Sequence, residues 1–290
     1  MADLLSLFAD LMKTKMITGL FKTINTSAWL IFFSYSQMAL AEATDAEKKA
    51  ALAKKLSNPV AALISVPFQY NYDKDIGLTD RGNRSILNVQ PVIPFSISED
   101  WNLISRTILP VVNQQDIFSQ GESQTGIGDA VQSIFFSPKA PTNSGWIWGA
   151  GPVLLLPTGS DAKLTADKFG LGPTAVALKQ NGAWTYGGLA NHIVSVGGSS
   201  TKGDINATFL QPFIAYNTKT ATTYSFNTES TYDWESKQWA VPLNANVSQL
   251  LKIGDQLISV GAGLRYWLKS PENGPEGLGF RFSFTLLFPK

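Results

Sequence analysis

At the end of the chain Leu278, Phe280, Phe282, Phe284, Leu286 and Phe288 alternate with Gly279, Arg281, Ser283, Thr285 and Leu287. Successive side chains of an extended strand point to opposite faces. A period of two this regular therefore gives a strand with one face almost wholly apolar and the other mostly small or polar. The preceding segment repeats it, with Ile258, Val260, Ala262, Leu264, Tyr266 and Leu268 set against Ser259, Gly261, Gly263, Arg265 and Trp267. From Gln238, Trp239, Val241, Leu243, Ala245 and Val247 oppose Asn244, Asn246 and Ser248. From Thr222, Tyr224, Phe226, Tyr232 and Trp234 oppose Ser225, Asn227, Glu229, Thr231 and Asp233.

Earlier strands are noisier and fall near 60–72, 84–98, 101–114, 126–138, 145–158, 168–181, 183–197 and 204–218. Those at 183–197 and 204–218 carry apolar residues on both faces, so their orientation stays open. About twelve strands result, each near or above the ~9–11 residues that a tilted transmembrane strand requires. Mean hydropathy is +0.01 and charged residues make up only 16%, against the ~25% of an ordinary soluble domain. A helical membrane protein would be far more apolar, whereas alternating faces cancel in the average. The expected fold is an all-β transmembrane antiparallel barrel over 60–290.

The connections support closure into a barrel. Short turns at Ser98-Glu99-Asp100, Gln180-Asn181-Gly182, Asn217-Thr218-Lys219 and Ile253-Gly254-Asp255 nearly alternate with longer polar loops. The loops span Asp73 to Asn83, Gln115 to Thr125, Gly159 to Asp167, Gly198 to Gly203 and Lys269 to Glu276. In outer-membrane barrels short turns are periplasmic and long loops extracellular. Lys139 to Gly145 is long for a turn, and Glu235 to Lys237 is short for a loop. Trp101, Trp146, Trp148, Trp184, Trp239, Tyr266 and Trp267 lie near strand ends, where interfacial girdles place amphipathic rings.

The first forty-one residues read as an export signal. Lys13, Lys15 and Lys22 precede the apolar stretch Ala28 to Met38, and Ala39-Leu40-Ala41 supplies a small-x-small cleavage pattern before Glu42. The apolar stretch is too short for the ~20 residues of a spanning helix. Met12 and Met16 are alternative starts. Residues 42–59 form a lead-in. Thr44 caps a helix to Leu56, Glu47 completes a capping box, and Asn58-Pro59 ends it. That helix is either a periplasmic lead-in or a plug inside the barrel, with the lead-in favoured.

Several strings resemble a family of outer-membrane proteins labelled only as transporters, related to the MetA-pathway group of phenol degradation, some members of which carry the label neuromedin U. They are LSNPVAALISVPFQ (Leu56 to Gln69), GIGDAVQSIFFSPK (Gly126 to Lys139), GAGPVLLLPTG (Gly149 to Gly159), GLGPTAVALKQNGAWTYGGLANH (Gly170 to His192), FLQPFIAYN (Phe209 to Asn217), NTESTYDW (Asn227 to Trp234) and the stretch from Leu264 to Lys290. The resemblance implies a membrane barrel and a loose association with transport. It supplies no catalytic residue.

Little in the chain points to catalysis. Cysteine is absent and His192 is the only histidine, so a metal cluster would have to be carboxylate-only. No G-x-S-x-G elbow positions a nucleophile, and His192 reads as a wall residue. The glycine pairs at Gly126/Gly128, Gly149/Gly151 and Gly170/Gly172 lack the helix and Lys-Ser/Thr of a phosphate loop, and mark bends or close contacts. No enzyme, cofactor or metal is expected, and a net charge of +1 gives no footprint for nucleic acid. The expected partners are membrane lipid, the barrel-assembly machinery, which reads a terminal aromatic here supplied by Phe288, and an unidentified small solute.

The informative residues are charges within strands. A cation facing lipid at mid-depth costs ~2–4 kcal/mol, so parity assigns Arg106, Asp129, Lys179, Glu229, Asp233, Arg265 and Arg281 to the lumen. They either line a pore or pair with one another and brace a filled interior. Twelve strands enclose a bore of about 10–14 Å, or none if the helix or a loop folds in. Four functions remain: a passive channel for small, aromatic or otherwise apolar solutes; a structural or plugged barrel; an outer-membrane lipid-acting enzyme; and a soluble periplasmic sandwich.

Overall fold

The computed structural model describes residues 45–289; the expected signal peptide lies outside them. A helix over 45–56 precedes fifteen strands. Six occupy the first part of the barrel: β1 (Ile64–Ile76), β2 (Gly82–Val89), β3 (Val92–Ser96), β4 (Trp101–Gln115), β5 (Ser123–Ile127) and β6 (Ala130–Pro138). They are followed by β7 (Trp146–Leu156), β8 (Lys168–Asn181), β9 (Trp184–Gly198), β10 (Asn206–Asn217) and β11 (Thr222–Thr228). The remainder are β12 (Ser230–Asp233), β13 (Gln238–Ile253), β14 (Gln256–Lys269) and β15 (Gly277–Phe288).

Three interruptions reduce the fifteen to twelve barrel strands. Pro91, which has no N–H to give the ladder, separates β2 from β3. Gly128-Asp129 separates β5 from β6, and Glu229 separates β11 from β12. β2 and β3 share β1 and β4 as neighbours, β11 and β12 share β10 and β13, and β5 and β6 both pair with β4. β15 pairs antiparallel with β1, from Ile64 opposite Phe288 to Tyr72 opposite Phe280, and so closes the sheet. Closure removes both edges, which lipid demands because no water is there to satisfy a free edge. The soluble sandwich is thereby excluded.

The faces are sorted opposite to a soluble core. Outward lie Phe280, Phe282, Phe284, Val260, Leu264, Tyr266, Phe226 and Val247, each around two-fifths to half exposed. Inward lie buried Asn71, Asp73, Gln90, Asn102, Gln114, Gln124, Ser133, Thr174, Asn244, Arg281 and Thr285. Gly182-Ala183 and Gly254-Asp255 make the shortest turns, and both lie on the rim that holds the end of β15. This is the periplasmic rim by the loop-length rule. Around its outside sit Trp101 edge-on to Trp148 at 5.8 Å, and Trp184 against Tyr216 at 4.9 Å. At the opposite rim Tyr232 packs on Trp234 and Trp239. Trp267 departs from the expected girdle: it points inward, where its indole donates to Asp73 at 2.8 Å.

Residues from Lys49 onward enter the periplasmic end of the barrel. Ala53 packs with Leu63, Ala221, Leu250 and Leu287, flanked by Leu52 and Leu56. The side amide of Gln180 donates to the Lys54 carbonyl at 2.8 Å, and the Ser57 hydroxyl donates to Asn217 at 3.1 Å. Beyond the helix Val60 is seated among Ile104, Phe135, Val176, Leu178 and Leu189. Gly149 makes room for it, since a Cβ there would lie 3.2 Å from Val60 Cγ1. The expectation favouring a bare lead-in therefore meets a segment with an apolar seat inside the wall.

Phe288 is the last strand residue, outward and opposite Ile64. Near a membrane interface an acidic side chain costs only ~0–1 kcal/mol, so Phe288→Asp should leave the stability of assembled barrel almost unchanged. If Phe288 is an assembly signal, the fraction of chains reaching heat-modifiable, folded form in cells falls several-fold, while refolding into detergent proceeds normally. Equal cellular yields for both proteins would remove that role.

Candidate functional site

The interior is divided into a charged wall and an apolar wall. The charged wall is built by β1, β2, β14, β15 and the break between β11 and β12. Interruptions re-aim side chains, and Glu229 lies at one. Arg281 donates from Nη1 and Nη2 to the two Glu229 oxygens at 3.0 and 2.7 Å, and from Nε to Asn71 at 2.7 Å. This is the fork geometry that a guanidinium makes with a carboxylate. Arg265 reaches the same carboxylate at 3.5 Å and Asp73 at 3.3 Å, with its guanidinium 4.7 Å over the Trp267 ring. Arg84 stands opposite Asp73 on the neighbouring strand, and its buried Nε has no hydrogen-bond partner among the described residues. Arg106, on β4, donates to the neutral amide oxygen of Gln90 at 3.1 Å.

The apolar wall comes from β6, β7, β9 and β10. Val131, Leu155, Leu189, Ile193, Ala207 and Phe209 face a cavity of about 320 Å³, whose lining also includes Gln69, Asn88, Gln90, Arg106, Glu229 and Thr231. A second cavity, of about 300 Å³, lies toward the periplasmic rim. It is lined by Leu56, Asn58, Pro59 and Ala61 of the entering segment and by Ser65, Ser225 and Asn227 of the wall. Gln90, Arg106 and Gln211 line both. This apolar wall explains why β9 and β10 looked two-faced in the sequence: they meet lipid on one side and an apolar lumen on the other.

The other mouth is narrowed by the β7–β8 connection. Ser160 and Leu164 lie against Gly126, and a Cβ at Gly126 would run into Ser160. Asp129 pins the loop by accepting from Thr165 Oγ1 at 2.6 Å, from the Ala166 amide at 2.7 Å and from the Gly159 amide at 3.1 Å. An ion pair between Lys163 and Glu122 ties the loop to the β4–β5 connection, and Lys168 pairs with Asp204 at 2.9 Å. The hydrogen bond from Lys163 holds the Glu122 carboxyl below its ordinary pKa. Hydrogen bonds from Lys168 and Ser195 do the same for Asp204. A carboxylate so lowered anchors its loop above its unfolded pKa and releases it as pH falls through the folded value.

Of the residues assigned to the lumen by parity, the structure brings Glu229, Arg265 and Arg281 into one cluster and puts Arg106 beside it. Asp129 lies at the break between β5 and β6, where it serves the loop. Asp233 caps its own turn, accepting from the Glu235 amide and the Ser236 hydroxyl. Lys179 is placed differently from the expectation. It shares the outward parity of Leu171, and its ammonium sits 4.9 Å from the Trp146 ring centre. The periplasmic interface lets it snorkel to water, so the cost of a mid-depth charge never arises. Sequence reasoning missed Asn71, Asp73, Arg84 and Gln90. The sequence places Asp73 at the start of a loop, but β1 continues to Ile76. The alternation of Asn71 and Asp73 with Tyr70 and Tyr72 was the available signal.

His192 lies on the outward parity, its ring nitrogen 2.9 Å from the Thr208 hydroxyl, which also accepts from the Trp234 indole. Among the described residues no three His, Asp or Glu side chains converge as a metal site would require.

A closed barrel with an apolar outside, aromatic girdles and a polar, ionised inside defines an outer-membrane β-barrel, located in the outer membrane of a Gram-negative bacterium. No family model matches the chain, and no curated protein matches it. Among solved structures it is similar to an outer-membrane channel from Pseudomonas putida F1, at 12% identity and TM-score 0.60, over 78% of this chain and 96% of that one. Weaker likenesses are to outer membrane phospholipase A from Escherichia coli, at 11% identity and TM-score 0.48, over 78% and 90% of the chains, and to a KdgM porin in complex with disordered oligogalacturonate, at 13% and 0.43, over 78% and 99%. These likenesses concern the fold.

Proposed function

We propose that the chain is a passive, low-conductance channel for small solutes, whose path is narrowed at one end by the segment 49–63 and at the other by the β7–β8 loop. The observation that carries this reading is the pair of cavities sharing Gln90, Arg106 and Gln211. The shared residues put the two cavities next to each other along the barrel, with polar side chains between them. The apolar wall of the cavity lined by Leu189 and Phe209 supports solutes with an apolar or aromatic body, which agrees with the resemblance to the MetA-pathway group. The assembly machinery and lipid are its proposed partners.

The test is reconstitution of the refolded chain in planar bilayers. Discrete conductance steps well below those of an open bore of about 10–14 Å are the expected result. Bilayers that stay at the lipid baseline, with folded protein shown to be inserted, would favour the second reading, a plugged barrel without transport. The seat of Val60 among Ile104, Phe135 and Leu178 is the feature that supports it. The reading is non-enzymatic: among the described residues the side-chain hydrogen-bond partner of His192 is Thr208, and phospholipid turnover by the purified barrel should not exceed that of a His192→Ala variant.

A further inference from the structure

We infer that the lumenal cavity lined by Arg106 and Phe209 is a binding site for a small amphiphilic anion, a monocarboxylate with an apolar body, whose charged end is met by Arg106. The inference names the solute class of the proposed channel and rests on that reading only where flux is concerned.

Charge comes first. The lumenal cluster holds Arg84, Arg106, Arg265 and Arg281 against Asp73 and Glu229. Four guanidinium groups face two carboxylates. Glu229 is taken up on both oxygens by Arg281 and approached by Arg265, and Asp73 is shared by Arg265 and the Trp267 indole. Although Glu229 lines the cavity, its charge is already matched. Arg106 feels Glu229 only at longer range: among the described residues it makes no direct ion pair, and its hydrogen-bond partner is the uncharged Gln90. Unmatched cations in a water-poor space are costly, and an anion is what offsets them.

Shape comes second. The cavity of about 320 Å³ falls at the small end of the roughly 300–1,000 Å³ range for small-molecule sites. Leu189, Ile193 and Phe209 line the cavity on the wall away from Arg106, while Val131, beside Arg106 on the neighbouring strand, and Leu155 continue the apolar lining. A simple inorganic anion would leave that wall unmatched, and a fully apolar solute would leave Arg106 unmatched. A carboxylate on an aromatic ring or a short aliphatic body satisfies both sides. Asn88, Gln69 and Thr231 add neutral polar groups to the same lining.

The experiment is isothermal titration of the folded barrel in detergent with benzoate, benzamide and benzylammonium. These probes share one body and differ in charge. Benzoate should bind, with benzamide at least about tenfold weaker and benzylammonium undetectable, since a charge-assisted hydrogen bond is worth roughly that factor or more. Arg106→Gln should reduce benzoate affinity by about ten- to a hundredfold and leave benzamide unchanged, and Arg106→Lys should recover part of the loss. Equal affinities of the wild-type barrel for benzoate and benzamide would overturn the site without reference to any variant. So would benzoate binding that survives Arg106→Gln in protein showing native heat-modifiable migration. Flux of the same probes into proteoliposomes separates the two readings. Benzoate bound but not passed removes the channel and keeps the site, whereas all three probes passing at one rate removes the site and keeps the channel.

Discussion

Arg281→Glu is expected to lower the barrel's resistance to denaturant more than any other single change to a lumenal side chain. Arg281 is 4% exposed and makes three charge-assisted hydrogen bonds, two to Glu229 and one to Asn71. Breaking a buried pair by removing one partner costs about 3–5 kcal/mol. The substitution also sets a second carboxylate against Glu229 and within the same cluster as Asp73, a like-charge contact at low dielectric. The measurement is the midpoint of urea unfolding from lipid vesicles, followed by tryptophan emission and gel migration. The double variant Glu229→Arg with Arg281→Glu should regain part of the loss, because it restores opposite signs at the same separation. Glu229→Gln alone should also destabilise, since it leaves Arg265 and Arg281 facing each other. If Arg281→Glu instead kept the wild-type midpoint and shifted ion preference toward cations, the arginines would be pore lining and not braces. A spin label at position 281 checks the premise, and it should report neither bulk lipid nor freely mobile water.

The second large effect concerns the entering segment. Deletion of residues 49–62, with the export segment kept in place, should convert small conductance steps into steps about tenfold larger, because a bore of about 10–14 Å would then be free at the periplasmic end. The deletion removes Ala53 and Val60 from their apolar seats, and each buried apolar side chain of Val size contributes about 1.5–3 kcal/mol. A lower unfolding midpoint should therefore accompany the larger current. A milder companion is Val60→Asp, which puts a carboxylate among Ile104, Phe135 and Leu178 and should release the segment without shortening the chain. Unchanged conductance in both variants would mean that the path is set elsewhere, with the β7–β8 loop as the next candidate. Asp129→Asn then tests it, since loss of the charge weakens the three hydrogen bonds that hold that loop down.

Each feature that was legible in the sequence had a local cause. Along β15 lipid requires an apolar side chain at every second position, so Leu278 to Phe288 disclose the strand, its outward face and the inward place of Arg281 without reference to any other residue. The same logic gave Glu229 and Arg265 their inward parity. It failed for Lys179, because parity alone does not say how close to the interface a charge lies. It also failed for Asp73, because a run of Asp, Lys and Asp reads as a loop even where the strand continues through it. In β9 and β10 the rule had nothing to act on, since Leu189, Ile193 and Phe209 are as apolar as the lipid-facing Tyr186, Val194 and Leu210.

By itself, then, the sequence determined the barrel class: about twelve strands follow from its segments and turns, and the lipid-facing side of those with a clean period of two, such as β13, β14 and β15, follows from that period. The contents of the lumen belong to the tertiary structure. Arg281 meets Asn71 across 210 residues of chain, and Trp267 meets Asp73 across 194. Whether Val60 fills the bore depends on Gly149 and on a wall drawn from four strands. Lumenal contacts carry no repeating signature, because closure of the sheet brings together side chains that no local pattern relates.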